Sequence, residues 1–215
     1  MFSCIMRLIV EILTRAFMYV WIGFNVRHGN RLPRNGPAII VATHDSHLDT
    51  FGIKSLLPLG LARKVRPVGA ADYFLANRFI AWFSIKIMRM IPVKRGSGKE
   101  GDDPLAECHP ALARSEILLV YPEGSRGEPE KRQPLKKGIG WLAIHHPDVP
   151  VYVVYLAGLG KVMGKAAWIP IPFFCDVLVQ KPLYGSMFQS REEFLAKLEA
   201  TMKDAATELN VKPWG

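Results

Sequence analysis

Cysteine is scarce in this 215-residue chain, where Cys4, Cys108 and Cys175 are the only three. Their odd number, wide spacing and lack of any CxxC pair exclude a disulfide framework and a zinc knuckle, and a reducing compartment is the plain reading. Long hydrophobic runs are missing too. The N-terminal stretch MFSCIMRLIVEILTRAFMYVWIGFNV is largely apolar, but Arg7, Glu11 and Arg15 interrupt it. Its longest uncharged run, residues 16–26, is too short to span a bilayer. No short apolar core is followed by a small-residue cleavage site, so the stretch does not read as a signal peptide. There is no internal repeat and no low-complexity tract. The HExxH pair of zinc peptidases, the GxSxG elbow of serine hydrolases and RNA-type aromatic motifs are all absent.

What is present is positive charge on a greasy background. Lys and Arg number 28 against 19 Asp and Glu, a net charge of +9, while 49 % of residues are hydrophobic. That balance favours an anionic partner. The positive mean hydropathy of +0.11 points to an anionic membrane surface or a phosphorylated substrate and away from nucleic acid. The length fits one large domain or a domain with a short appendage. Residues 1–28 are expected to form an apolar membrane-associating segment ahead of a domain over 29–215. As a helix, the N-terminal stretch fits either a place at a membrane interface or a buried core position.

Along the domain, short apolar runs alternate with helical stretches. PAIIVAT (37–43), RPVGA (66–70), EILLVYPEG (116–124), VPVYVVYLAG (149–158) and FFCDVLVQ (173–180) read as strands. LDTFGIKSLLPL, ADYFLANRFIAWFSIKIMRM (71–90), GIGWLAIHH (138–146) and SREEFLAKLEATMKDAATELN (190–210) read as helices. Over 71–90 a continuous helix would gather Arg78, Lys86 and Arg89 into one basic arc, either against an anionic leaflet or as the solvated side of a core helix. The alternation predicts an α/β domain with a mixed, partly parallel sheet flanked by helices. Ligands of such sheets gather at the carboxyl ends of strands. ATHDSHLD and YPEGSRG each lie just after an apolar run.

The stretch ATHDSHLDT (42–50) carries two histidines and two aspartates. On one continuous helix His44 and Asp49 would point apart. They meet only if His44 sits on the turn before a helix and Asp49 in its first turn. A carboxylate against one imidazole nitrogen then fixes the tautomer and makes the other nitrogen a base able to take a proton from an alcohol. Ser46-x-x-Asp49 before an apolar run is equally a capping box, which would make Asp49 structural. His44, His47 and Asp49 also spell HxxHxD, a set that a metal-dependent hydrolase could use, although this is not a zinc-site spacing. YPEGSRG (121–127) adds a glycine turn whose backbone N–H groups and Arg126 suit a phosphate, with Glu123 placed to orient the guanidinium. Arg95, in IPVKRG, is a further cation at a strand or loop end. Lys136 and Lys137 read as solvated.

Taken together these stretches resemble the glycerolipid acyltransferase family, of the 1-acylglycerol-3-phosphate (lysophosphatidic acid) acyltransferase type. The family's His-x4-Asp block is similar to THDSHLD through His44 and Asp49. A second block resembles residues 70–96, with Arg95. The third, usually Glu-Gly-Thr-Arg, resembles Glu123–Gly124–Ser125–Arg126, and an apolar strand with a central proline resembles VPVYVV around Pro150. The four blocks lie in the family's order across about residues 30–160. Thr43 stands where Asn is usual, Ser125 where Thr is usual and Gly127 where Ser is common.

The resemblance implies that His44, oriented by Asp49, removes the proton of a glycerol hydroxyl, which attacks the thioester of acyl-CoA or acyl-carrier protein. Arg95, Glu123, Gly124, Ser125 and Arg126 would hold the acceptor's phosphate. No cofactor, metal or covalent acyl-enzyme is implied. The acceptor would be a lysophospholipid, most simply 1-acylglycerol 3-phosphate, with another lysolipid or glycerol 3-phosphate as alternatives. The short chain ahead of the first block favours the lysophosphatidate type. The expected location is the cytoplasmic face of a membrane. A basic membrane-binding or nucleic-acid-binding module without chemistry is the competing class, and the intact His44–Asp49 pair argues against it.

Overall fold

The structure, a computed structural model, describes residues 2–46, 48–74, 77–93, 103, 105–124, 133–162 and 174–211. Its strands are β1 (Phe24–Arg27), β2 (Ala38–Ala42), β3 (Val65–Ala70), β4 (Ile91–Val93), β5 (Ile117–Val120), β6 (Val151–Ala157) and β7 (Cys175–Val179). The helices are α1 (Phe2–Val20), α2 (Asp49–Leu56), α3 (Leu59–Ala62), α4 (Ala71–Phe74), α5 (Arg78–Trp82), α6 (His109–Ala113), α7 (Gly138–His145), α8 (Leu159–Val162) and α9 (Arg191–Glu208). The strands form one seven-stranded sheet in the order β1-β7-β6-β2-β5-β3-β4. Neighbours are parallel except β6 and β7, which are antiparallel.

The central strands explain the layering. Every residue of β2 (AIIVA) and β5 (ILLV) is buried. Strands covered on both faces read as unbroken apolar runs, because neither face meets water. Side chains still alternate between the faces. Ala38, Ile40 and Ala42 join Met18, Ile22, Ile53 and Leu57, so α1 and α2 cover that side. Ile39 and Val41 join Leu112, Leu142, Phe194, Leu198 and Met202, so α6, α7 and α9 cover the other. The α/β architecture with a mixed sheet agrees with the alternation read in the sequence.

Residues 1–28 are tied into this domain. Met18 and Ile22 are fully buried in the core, and β1 pairs with β7 from Phe24 opposite Cys175 to Arg27 opposite Leu178. The inner face of α1 is thus a core helix. No described helix is long and apolar enough to cross a membrane, so the apolar membrane helix expected at the N-terminus finds no support in a spanning segment. The outer face of α1 does leave Ile5, Ile9, Ile12 and Leu13 exposed.

The continuous helix expected over 71–90 is not formed. Asn77 is extended and its side-chain oxygen accepts from the N–H groups of Phe79 (2.8 Å) and Ile80 (3.3 Å), so it starts a new helix within that span. α5 then widens into a π-helical segment, Phe83–Ile87, and Arg89 turns into the left-handed region at φ 57°. The basic arc is lost with the helix, since the Arg89 side chain is drawn to Glu116 and to the Arg63 carbonyl.

The register decides where the site lies. β2 and β5 are adjacent and parallel with Val41 opposite Val120. Their carboxyl ends therefore finish side by side, and the segments beginning at Thr43 and Tyr121 leave the sheet together.

Candidate active site

His44 sits on the turn after β2, and Asp49 is the first residue of α2. This is the placement that lets residues five apart face each other. His44 Nδ1 lies 2.9 Å from Asp49 Oδ2. The same carboxylate oxygen accepts the backbone N–H groups of Asp45 and Ser46, both at 2.8 Å. Asp49 is 1 % exposed. A carboxylate only accepts, so the imidazole donates through Nδ1–H and presents Nε2 as its lone-pair nitrogen. About 20 % of the His44 side-chain surface is open, and no described residue bonds Nε2.

The capping and orienting readings of Asp49 describe one atom. Asp49 Oδ2 reaches back to the Ser46 N–H as the acidic partner of a capping box does. Ser46 departs from the box in its own bond, because its Oγ accepts from the Leu48 N–H at 3.2 Å. Asp49 Oδ1 is buried and has no partner among the described residues. All the fixed donors converge on Oδ2, and the imidazole is among them.

Groups that sequence reasoning left unassigned hold the rest of the ring. Tyr121 stacks on His44 with centroids 3.9 Å apart and planes 16° from parallel. Its hydroxyl is 2.8 Å from Thr50 Oγ1 in the first turn of α2. Burial, and then the charge of Asp49, push the Tyr121 phenol well above its ordinary pKa, so it stays neutral. Thr43 Oγ1 accepts the Leu156 N–H (2.9 Å) and donates to the Leu156 carbonyl (3.1 Å), which pins the start of the turn to β6. An aromatic placed at the end of a buried strand was the available signal for Tyr121, and Thr43 stands directly before the histidine.

The second segment folds as a closed turn. The Gly124 N–H donates to the Tyr121 carbonyl (3.0 Å), and Gly124 has φ +76°, a conformation that favours glycine. A Cβ there would also lie 3.2 Å from Lys136 Cγ. Lys136, read as solvated, thus packs its stem against this turn, held by its own N–H on the Pro122 carbonyl at 2.7 Å. The Glu123 carboxylate is fully buried and accepts the Gln133 N–H at 3.3 Å. Of the predicted site residues, the structure brings His44, Asp49, Glu123 and Gly124 to the two adjacent strand ends. Arg95, Ser125 and Arg126 lie outside the described residues, as does His47.

Among the described residues, no three His, Cys, Asp or Glu side chains form a metal-ligand group. The downstream histidines gather elsewhere, with His109 bonded to His146 (2.6 Å) and to Asp103 (2.5 Å). Cys108 and Cys175 are buried, and burial first of all pushes both thiols up to about 12, far from a nucleophilic thiolate.

Among known proteins, residues 23–157 match the family model described as Acyltransferase. The chain is 30 % identical over 151 residues to a chloroplastic 1-acyl-sn-glycerol-3-phosphate acyltransferase of Brassica napus, covering 70 % of this chain and 42 % of that protein. It is 29 % identical over 150 residues to the human 1-acyl-sn-glycerol-3-phosphate acyltransferase beta, covering 66 % of this chain and 49 % of the relative. The chain therefore spans less than half the length of these two relatives. Its fold is similar to that of the 1-acyl-sn-glycerophosphate acyltransferase PlsC from Thermotoga maritima, with a TM-score of 0.75 at 21 % identity over 96 % of this chain and 80 % of that one.

Because Oδ2 anchors two buried backbone donors as well as the imidazole, Asp49 carries stability as well as orientation. Asp49→Ala is expected to cost about 1–3 kcal/mol for each donor left without an acceptor. Asp49→Asn can place its amide oxygen at the Oδ2 position and should lose much less. Denaturant unfolding of both variants checks this, and an alanine variant as stable as the parent would contradict it.

Proposed function

The chain belongs to the acyltransferase family, and from that premise we propose that it moves a fatty acyl group from an acyl thioester to the hydroxyl of a lysophospholipid. The acceptor is 1-acylglycerol 3-phosphate and the product phosphatidic acid. The observation that carries the reading is the His44–Asp49 pair at the carboxyl end of β2, with Nε2 unbonded among the described residues and the imidazole partly open to solvent. The names of the relatives from Brassica napus and human favour this acceptor.

The geometry suits general-base catalysis. His44 Nε2 accepts the proton of the acceptor hydroxyl as its oxygen bonds to the thioester carbonyl carbon. Asp49 Oδ2, across the ring at Nδ1–H, stabilises the imidazolium that forms. The tetrahedral adduct collapses, the carbon–sulfur bond breaks, and the proton on Nε2 passes to the departing thiolate. The stacked Tyr121 ring and the Asp49 bond together hold the imidazole at one angle while the two substrates meet, which is the positioning that lowers the entropic barrier.

The acceptor's phosphate is assigned to Arg95, Glu123, Gly124, Ser125 and Arg126. The turn at Gly124 issues from β5, next to the strand that carries His44. Glu123 is a buried carboxylate of the kind that holds a guanidinium in place. The donor is acyl-CoA or acyl-carrier protein. The protein works at the cytoplasmic face of an anionic membrane, a placement favoured by its net charge and by the exposed Ile5, Ile9, Ile12, Leu13, Phe79 and Trp82.

The test is a thioester-release assay with acyl-CoA and acyl-carrier protein as donors, across lysophosphatidic acid, other lysolipids and glycerol 3-phosphate. Lysophosphatidic acid should be the preferred acceptor. His44→Ala should lower the rate by on the order of 10²–10⁴ with the circular dichroism spectrum unchanged, and a variant of normal rate would remove His44 from the mechanism.

Arg126 tests the phosphate assignment separately. Arg126→Ala should lower kcat/KM for a phosphate-bearing acceptor by roughly ten- to hundredfold. Arg126→Lys should recover only part of this, since lysine keeps the charge and loses the fork. KM for the thioester should barely move. Equal losses for both substrates together with a lowered melting temperature would make Arg126 a structural residue.

A further inference from the structure

A second polar concavity lies where α1 and α2 meet the segments leading into β3 and β4. It is a cavity of about 270 Å³ lined by the cations Arg7, Lys54, Arg63, Lys64 and Arg89 and by one acid, Glu11. Lys64 immediately precedes β3 and Arg89 lies just ahead of β4, whereas His44 and Glu123 follow β2 and β5. These four strands run parallel. The cavity therefore sits towards the amino ends of β3 and β4 and the His44–Asp49 pair at the carboxyl end of β2, with Lys54 further along the helix that Asp49 begins.

The carboxylates nearby are already engaged. Glu11 is paired with Lys54. Glu116, beneath Arg89, also takes Arg66 at 2.7 Å and Arg114 at 3.2 Å. Burial alone would raise the Glu116 pKa, but Arg66 and Arg89 outweigh it and hold the carboxyl below its ordinary range. Glu11 is thus taken by Lys54, and Glu116 is shared by Arg66, Arg89 and Arg114. Burial pushes the Lys54 pKa down, and Glu11 opposes it only in part.

Backbone carbonyls also hold two of the cations in place. Arg7 Nε donates to the Lys86 carbonyl at 2.7 Å, and an Arg89 nitrogen donates to the Arg63 carbonyl at 2.8 Å. The bond to Lys86 orients Arg7 without neutralising it, whereas Arg89 is also paired with Glu116. Grouped guanidinium forks and ammonium groups around a concavity match an oxyanion carrying more than one charge. At roughly 30 Å³ per water, the space exceeds what a phosphate-sized group needs.

We propose that this cavity binds a phosphate-bearing anion at a site separate from the His44–Asp49 centre. The anion is either the headgroup of an acidic phospholipid or a soluble phosphate. The first source is included because Phe79, Ile80, Trp82 and Ile85, on the segment leading to Ile87, are exposed.

The test compares the parent protein with Arg63→Glu/Lys64→Glu, both at exposed positions, and with Lys181→Glu/Lys197→Glu, an equal charge change at exposed positions away from the cavity. One arm follows the melting temperature against inorganic phosphate at constant ionic strength. The other measures co-sedimentation with phosphatidylcholine vesicles with and without phosphatidylglycerol. The parent and the distant variant should respond in at least one arm, and the cavity variant should bind roughly tenfold more weakly in that arm. A response to vesicles alone identifies the lipid headgroup, and a response to phosphate identifies the soluble anion. If the cavity variant and the distant variant behave alike in both arms, or the parent responds in neither, the site is refuted. Should the cavity variant fail to fold, Arg63→Gln/Lys64→Gln replaces it in the same comparison. Neither readout uses acyl transfer, so the outcome is independent of the proposed activity.

Discussion

One carboxylate oxygen organises the candidate active site. Asp49 Oδ2 draws in the backbone N–H groups of Asp45 and Ser46 and the Nδ1 of His44. The first two bonds shape the turn that ends β2 and starts α2. The third fixes the face that His44 presents. Since a buried carboxylate is costly to desolvate unless hydrogen-bonded, the turn and the dyad depend on each other. The backbone donors make the burial of Asp49 tolerable, and its burial shields the bond to the imidazole from competing water. Structural and chemical roles are not alternatives at this position.

The sheet brings the remaining groups to the same place. β2 has β5 on one side and β6 on the other. β5 delivers Tyr121 onto the imidazole face and Glu123 and Gly124 beside it. β6 receives the Thr43 hydroxyl at Leu156. Three neighbouring strands thus position one ring and one turn. The same parallel arrangement puts the amino ends of β3 and β4 at the basic cavity.

Much of this was legible from short-range pattern. The unbroken apolar runs of β2, β5 and β6 announce strands covered on both faces. A histidine just before a helix start, with an acid in its first turn, permits the dyad and equally a capping box, and the geometry joins both in Asp49 Oδ2. What escaped the sequence depended on context. β1 (FNVR) and β4 (IPV) are short edge strands, with β1 largely exposed and β4 only partly buried, so neither carries a core pattern. The helix expected over 71–90 has no internal glycine or proline, yet Asn77 caps a new start within it, because an asparagine side chain competes for backbone N–H groups. Arg89 looked like part of a basic helical stripe but is held by Glu116, a partner distant in sequence. Tyr121 carries no motif of its own, and only the pairing of β2 with β5 shows that it lies on His44.

The most direct measurement of the dyad is the tautomer of His44, read from long-range ¹H–¹⁵N correlations in imidazole-labelled protein at a pH where the ring is neutral. The geometry predicts a proton on Nδ1, bonded to Asp49, and an unprotonated Nε2. The pattern should be lost in Asp49→Ala and kept when Thr50 is changed to valine, which removes only the hydroxyl contact to Tyr121. A proton found on Nε2 in the parent protein would mean that His44 cannot accept one from an acceptor hydroxyl, and would contradict its role as the base.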